Sequence, residues 1–174
     1  MISQTRSINK KRFPKSLLII SFFIVLNNSL VIAKENKPKL CSSETHRAFD
    51  FWLGEWQVLS AKQKTPPSRS SITLSNDGCS IHERYVTASG FTGNSINFYD
   101  KQSKRWHQTW IDNQGGALYL NGGIENGVMI LSDGVNRISW TLLSDRRVNQ
   151  VWETTKDNGK TWQKIFDGFY SKIN

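Results

Sequence analysis

The sequence predicts an all-β fold, an antiparallel up-and-down closed barrel of about ten strands with a short N-terminal helical turn. Ten short segments after residue 54 alternate apolar and polar residues, as strands with one buried face do. Gly, Asn and Asp separate these segments at regular intervals, and no amphipathic helix pattern occurs between residues 34 and 174. An open sheet of this size would expose two long edges. Closure removes both edges, so a barrel is favoured over a two-sheet sandwich.

Each predicted strand is bounded by turn residues. A helical turn comes first, at residues 49–53, where a strongly apolar run lacks the alternation of a strand. The predicted strands are 55–60, 69–75, 79–86, 92–99, 105–111, 117–122, 127–132, 136–142, 147–155 and 161–171. Turns such as Asn76-Asp77-Gly78 separate them, and Gly122-Gly123 is interpreted as a turn or bulge. All connections are short, so successive strands are expected to be antiparallel neighbours.

The first 33 residues have the organisation of a signal peptide. Five basic residues lie within the first 15, an apolar run covers residues 17–26, and Val31-Ile32-Ala33 forms a small-residue cleavage site. The prediction is export to the periplasm or the outside of the cell, with an uncleaved anchor as the alternative. The domain prediction is therefore a signal peptide at 1–33, a polar N-terminal arm at 34–47 and a barrel domain at 48–174.

The charge of the chain belongs largely to this leader. The formal charge of +9 falls to +4 for residues 34–174, where 18 Lys and Arg face 14 Asp and Glu. The remaining excess is scattered, so no nucleic-acid partner is predicted, and no membrane association after cleavage. No cofactor is predicted, since no phosphate-binding glycine motif occurs. No metal site is predicted, since neither cysteine has a Cys or His at ligand spacing.

Two cysteines, Cys41 and Cys79, lie in a chain that is expected to be exported. An even cysteine count in an oxidising compartment favours a disulfide, which would join the N-terminal arm to a strand. The alternative is lipidation of Cys41. Pro38-Lys39-Leu40, which precedes Cys41, lacks the small residues that such processing prefers.

The segment from Phe49 to Trp56 resembles the opening FDFWLGxW of a family of exported bacterial proteins of unknown function. Further matching segments are Gly78-Cys79 with Glu83, Tyr99-Asp100, Arg105 to Trp110, Gly122-Gly123, Gln150 to Glu153 and Phe166 to Tyr170. The resemblance covers nearly all of residues 41–171 and implies a lipocalin-like barrel of calycin type. It implies no activity, since the family carries no settled reaction. The Gly54-x-Trp56 element also resembles the lipocalin signature, in which the Trp plugs the barrel floor.

A second, local resemblance lies at residues 155–162. Thr155, Asp157, Gly159, Thr161 and Trp162 match the Asp-box hairpin of sialidase propellers. One clear copy occurs and no other propeller repeat is visible, so the motif is interpreted as a structural turn.

The predicted ligand site is built from alternating Trp and Gln residues. Trp106, Gln108 and Trp110 share one strand face, and Gln150 and Trp152 repeat the pattern on strand nine. Trp walls with a few polar orienting groups are typical of small-molecule sites, so the partner is predicted to be a small apolar or aromatic ligand. Trp140 is predicted to add a wall and Trp56 to close the floor. The alternation does not decide which face lies inside, and these side chains could equally fill a core.

Two other functions stay open. In the first, the barrel is an enzyme with His107 as acid–base residue and Asp112 or Glu153 orienting it, since the pKa of histidine suits proton transfer. In the second, the barrel is solid and its outer face binds another protein. Glu83 beside Arg84 is interpreted as an exposed ion pair of little consequence.

Overall fold

A computed structural model describes residues 39–61 and 66–173 of the chain. The predicted signal peptide and residues 34–38 of the predicted arm lie outside the described residues. The ten strands are β1 (Gly54–Ser60), β2 (Ser68–Ser75), β3 (Ser80–Val86), β4 (Thr92–Asp100), β5 (Arg105–Asp112), β6 (Ala117–Glu125), β7 (Val128–Ser132), β8 (Asn136–Leu142), β9 (Val148–Thr154) and β10 (Gln163–Lys172). The predicted all-β fold is confirmed.

The strands form one closed antiparallel barrel in up-and-down order. Each strand pairs with its neighbours in sequence, and β1 pairs with β10 to close the ring, with Val58 opposite Tyr170. Every strand therefore has two hydrogen-bonded neighbours, and the sheet has no free edge. The sandwich alternative is wrong.

Two strand boundaries differ from the prediction by two residues or more. Strand β10 begins at Gln163 because the hairpin before it is held by Asp157, which accepts hydrogen bonds from the backbone N–H and the hydroxyl of Thr161. Strand β6 continues through Gly122-Gly123, so the predicted turn or bulge is wrong. A Cβ on Gly122 would lie 2.1 Å from the carbonyl oxygen of Ile130, so this glycine permits a close approach of β7.

The N-terminal segment packs against one end of the barrel. It contains helix α1 (Glu44–Arg47) and a 3-10 turn at Asp50–Trp52, which confirms the predicted helical turn. The ring of Phe49 stacks on Trp52 with centroids 5.0 Å apart and meets Trp140 edge-on at 5.1 Å. We call this the closed end. Its aromatic floor consists of Phe49, Trp52, Trp56, Trp106, Trp140 and Tyr170, which are all buried.

The predicted disulfide is confirmed. Cys41 and Cys79 are bonded with their Cα atoms 5.0 Å apart, which joins the N-terminal segment to the turn before β3. The guanidinium of Arg47 donates to the carbonyl of Gly78 beside it. These links hold the segment against the barrel. Neither of the helical segments at 44–47 and 50–52, nor any other described helix, is long and apolar enough to cross a membrane.

We expect the double substitution Cys41→Ser and Cys79→Ser to lower the free energy of unfolding by about 3–4 kcal/mol. The reason is that the bond closes a 38-residue loop and so restricts the unfolded chain. Urea unfolding followed by circular dichroism measures the loss. A matched control replaces two exposed serines of the same segments, Ser42→Ala and Ser75→Ala. An unfolding midpoint equal to that of the control would contradict the prediction.

Candidate ligand-binding pocket

The barrel interior contains a cluster of polar side chains on β2 to β5. Alternation on β3 turns Ile81, Glu83 and Tyr85 inward and leaves His82 and Arg84 exposed. The buried polar residues of the four strands are Ser68, Ser70, Ser80, Glu83, Ser95, Asn97 and Gln108. Burial of so many polar groups is costly unless they bond one another or a ligand.

A cavity of about 420 Å³ lies beside this cluster. Its walls are largely apolar and its lining residues are Glu83, Tyr85, Thr87, Ser89, Phe91, Gln108, Trp110, Asp112, Gln114, Leu118, Ile138, Gln150, Trp152, Ile165, Phe166 and Tyr170. Residues 87–91 and 112–114 belong to the hairpins at the barrel end opposite the aromatic floor, which we call the open end. The buried side chains of Glu83, Gln108 and Tyr170 form the inner end of the cavity.

Glu83 carries a buried carboxyl group at the inner end of the cavity. Its Oε1 accepts a hydrogen bond from Ser70 Oγ at 2.8 Å, and its Oε2 accepts one from Ser95 Oγ at 3.1 Å. Burial raises the pKa of Glu83 to about 7, although the hydrogen bonds from Ser70 and Ser95 and the neighbouring Tyr170 hydroxyl oppose the shift. The carboxyl therefore exchanges its proton near neutral pH.

An oriented chain of hydrogen bonds connects Glu83 to Gln108. Asn97 Nδ2 donates to Ser95 Oγ at 2.9 Å and to the carbonyl of Ile81 at 3.3 Å, so its Oδ1 is the group that faces Gln108. Gln108 Nε2 donates to that oxygen at 2.9 Å. The orientation of the Gln108 amide follows, and its buried Oε1 finds no hydrogen-bond partner among the described residues.

Two tyrosines complete the polar surface. The hydroxyl of Tyr170 donates to Gln150 Oε1 and lies beside Glu83. Burial raises the pKa of Tyr170 well above its ordinary value, and burial also raises the pKa of Tyr85. Both hydroxyls therefore stay neutral over the physiological range.

The aromatic walls depend on glycines that leave space for rings. A Cβ on Gly93 would lie 2.0 Å from Cζ2 of Trp110, and a Cβ on Gly168 would lie 2.4 Å from Cζ of Phe166. Trp152 is held from the side, since its Nε1 donates to Asn136 Oδ1 at 3.1 Å. The glycines thus leave the space that the rings of Trp110 and Phe166 occupy, and a side-chain hydrogen bond orients Trp152.

The structure separates the seven predicted ligand residues into two groups. Gln108, Trp110, Gln150 and Trp152 line the cavity. Trp56, Trp106 and Trp140 face inward but belong to the aromatic floor, with exposures of 0%, 3% and 0%. Trp56 Nε1 donates to the carbonyl of Trp52 at 2.8 Å, and Trp106 Nε1 donates to that of Thr45 at 3.2 Å.

His107 does not belong to the cavity. Its neighbours Trp106 and Gln108 are buried inside, so alternation places His107 on the outer face, where it stacks on Phe98 and bonds Ser103 at 3.0 Å.

The carboxylates expected to orient His107 have other partners. Asp112 accepts hydrogen bonds from the backbone of Gln114 and Gly116, which lowers its pKa. Glu153 pairs with Arg137 at 2.7 Å. The hypothesis of His107 as an acid–base residue inside the cavity, oriented by Asp112 or Glu153, is therefore wrong.

Sequence reasoning did not identify Glu83 as a site residue. It interpreted Glu83 as an exposed ion pair with Arg84, which is wrong because Glu83 is buried. A signal was present in the neighbouring strands. Serines occur at 70 and 95, on the strands that pair with β3, and Ser95 stands directly opposite Glu83. Short hydroxyl side chains on both sides of an acidic residue are what a buried carboxyl needs as donors.

The chain is thus a closed ten-stranded β-barrel protein with an internal cavity. No protein-family model and no curated protein matches the chain. Within residues 39–61 and 66–173, no three His, Cys, Asp or Glu side chains lie together as a metal site would require.

We expect Glu83→Gln to change how stability depends on pH. In the wild type, the folded chain keeps a proton on Glu83 up to a pKa of about 7, whereas the unfolded chain releases it near 4.5. Stability therefore falls as pH rises through this window, by about 3 kcal/mol in total. The variant lacks this titrating group. Its free energy of unfolding should therefore rise relative to that of the wild type between pH 4.5 and pH 8. Urea unfolding across this range measures it.

The matched control for this experiment is Glu125→Gln, at an exposed position on β6. That variant should follow the wild-type pH profile. Parallel profiles of the Glu83 variant and the wild type would show that Glu83 has the same pKa in the folded and unfolded chains, contrary to the prediction.

We expect Gly93→Ala to displace the Trp110 ring, because the new methyl group overlaps it. The overpacking should cost about 1–3 kcal/mol of stability. The indole N–H resonance of Trp110 in a heteronuclear NMR spectrum reports the displacement. Gly123→Ala is the control, since a Cβ there meets no atom within 4 Å. A Trp110 resonance that stays in place in Gly93→Ala would refute the packing argument.

Proposed function

We propose that this chain is an exported binding protein that holds a small apolar or aromatic molecule in its barrel cavity. The observation that supports the proposal most directly is a 420 Å³ cavity with aromatic walls and a few buried polar groups. This volume falls in the range of small-molecule sites, and such sites usually combine an apolar lining with few orienting groups. In this proposal Trp110 and Trp152 are walls, and Gln108 and Gln150 orient the ligand.

Export is the second part of the proposal. The Cys41–Cys79 disulfide is what an oxidising compartment allows, and the leader at residues 1–33 predicts transport to one. The FDFWLGxW resemblance agrees with a periplasmic or secreted lipocalin-like protein. A solid interaction module is less well supported, because the cavity leaves a large part of the interior unfilled.

Proton transfer in the same cavity is a second candidate function. One observation favours it, a buried carboxyl group whose pKa is raised to about 7 beside a lined cavity. The test incubates the protein with an extract of small molecules and compares the wild type with Glu83→Gln by mass spectrometry. A compound that is converted by the wild type alone would establish the enzyme. An unchanged extract with both proteins would leave binding as the function.

We expect Trp110→Ala to weaken binding of the uncharged dye N-phenyl-1-naphthylamine by roughly tenfold or more, since an aromatic wall is lost. Fluorescence enhancement of the dye on titration with protein measures the affinity. The matched control is Ile111→Ala, the next residue of β5, which is 54% exposed on the outer face. It should bind the dye as the wild type does.

A second variant separates loss of binding from loss of folding. Leu118→Trp keeps the strand pair with Trp110 and fills part of the cavity, so it should also weaken dye binding while the chain stays folded. Equal dye binding by all four proteins would refute the proposed role of the cavity in binding.

A further inference from the structure

The cavity differs in charge from the rest of the molecule. Residues 34–174 carry 18 Lys and Arg against 14 Asp and Glu. Among the described residues, however, the cavity is lined by Glu83 and Asp112 and by no Lys, Arg or His. A site without any cation offers an anionic ligand no charge partner, and it repels one electrostatically.

One buried acceptor near the inner end of the cavity lacks a donor among the described residues. The hydrogen-bond chain through Asn97 and Ser95 uses the donor of Gln108 and leaves its Oε1 unpartnered, in a residue that is 3% exposed. A buried acceptor without a partner is costly, and a ligand N–H or O–H at this position would remove that cost.

Glu83 adds a charge to this acceptor surface. Its two oxygens accept from the hydroxyls of Ser70 and Ser95, and no described cationic side chain lines the cavity beside it. When ionised, this carboxylate is a buried charge without a counter-ion. A positively charged ligand group would supply the missing counter-ion and form a charge-assisted hydrogen bond.

The walls of the cavity also suit a ligand with a positively charged group. Trp110, Trp152, Tyr85 and Phe91 line the cavity with aromatic rings. Aromatic faces attract cations and stack on flat apolar groups, so they do not oppose a charge in the way aliphatic walls do.

We propose that the cavity selects small aromatic amines, which place a protonated nitrogen at Glu83 and Gln108 Oε1 and a flat apolar body between the tryptophan walls. This assignment rests on the proposed binding function and names its ligand class. It gives the cluster from Ser70 to Gln108 a role that a purely apolar ligand would leave unexplained.

The binding of such an amine depends on pH through one group. The titratable groups that line the cavity are Glu83, Tyr85, Tyr170 and Asp112. The pKa values of both tyrosines are raised by burial, and the pKa of Asp112 is lowered by hydrogen bonds from the turn backbone, so none of the three changes charge between pH 5 and pH 8. Affinity for the amine should rise with pH as Glu83 ionises and level off above pH 7.

The experiment compares three indole probes that differ in one group. Tryptamine carries an ammonium, tryptophol a neutral hydroxyl and indole-3-acetate a carboxylate on the same ring. Isothermal titration at pH 8 should give tryptamine an affinity roughly tenfold or more above that of tryptophol, with indole-3-acetate the weakest. In Glu83→Gln, tryptamine should bind no more tightly than tryptophol, and its affinity should no longer depend on pH. The control Glu125→Gln should keep the preference for tryptamine and its pH dependence.

The outcomes separate this assignment from the binding function itself. Equal affinities for tryptamine and tryptophol, or a preference that survives in Glu83→Gln, would overturn the amine assignment. Binding of the uncharged dye with no binding of any indole would overturn it as well and leave the binding function intact. Failure of the dye and all three indoles would overturn both.

Discussion

Pairing of β1 with β10 closes the sheet, and the other features of the molecule depend on that closure. Once the ring is closed, every strand has an inner and an outer face, and the strand period of two assigns each side chain to one of them. The inward side chains of the ten strands do not fill the ring, since the N-terminal aromatic residues pack at one end and a cavity of about 420 Å³ remains. The interior must then be filled by another segment, by a ligand or by water.

The N-terminal segment fills one end of that space. Its aromatic rings pack face to face and edge to face inside the barrel, and the Cys41–Cys79 bond keeps the segment in place. Because this floor takes up the rings of Trp56, Trp106 and Trp140, the space left open lies towards the other end. The position of the cavity is thus a consequence of where the chain enters the barrel.

The polar cluster beside the cavity includes a buried carboxyl group that costs stability. A hydrophobic residue at position 83 would avoid the cost of burying a carboxyl, and the serines around it would not be needed as donors. A protein that retains an unpartnered acceptor at Gln108 and a buried acid next to an aromatic-walled space gives up stability at a site suited to recognition. This arrangement is the physical argument for a functional interior rather than a solid core.

The sequence by itself determined the architecture of this protein. Alternation and turn residues are local properties, so the strand count, the up-and-down order and the helical turn before Gly54 were predicted. Two cysteines in a chain predicted to be exported also predicted the disulfide. Their spacing also placed Gln108 with Trp110, and Gln150 with Trp152, on one strand face, and the structure turns both faces towards the cavity.

Only the tertiary structure decided which of the predicted aromatic residues border open space and that Glu83 is buried. Both depend on the register between strands and on how the N-terminal segment packs. A local sequence pattern encodes neither of these features. Ser70, Glu83 and Ser95, for example, come together only after β2, β3 and β4 pair. Long-range packing therefore turned a position that reads as surface charge into the centre of the proposed site.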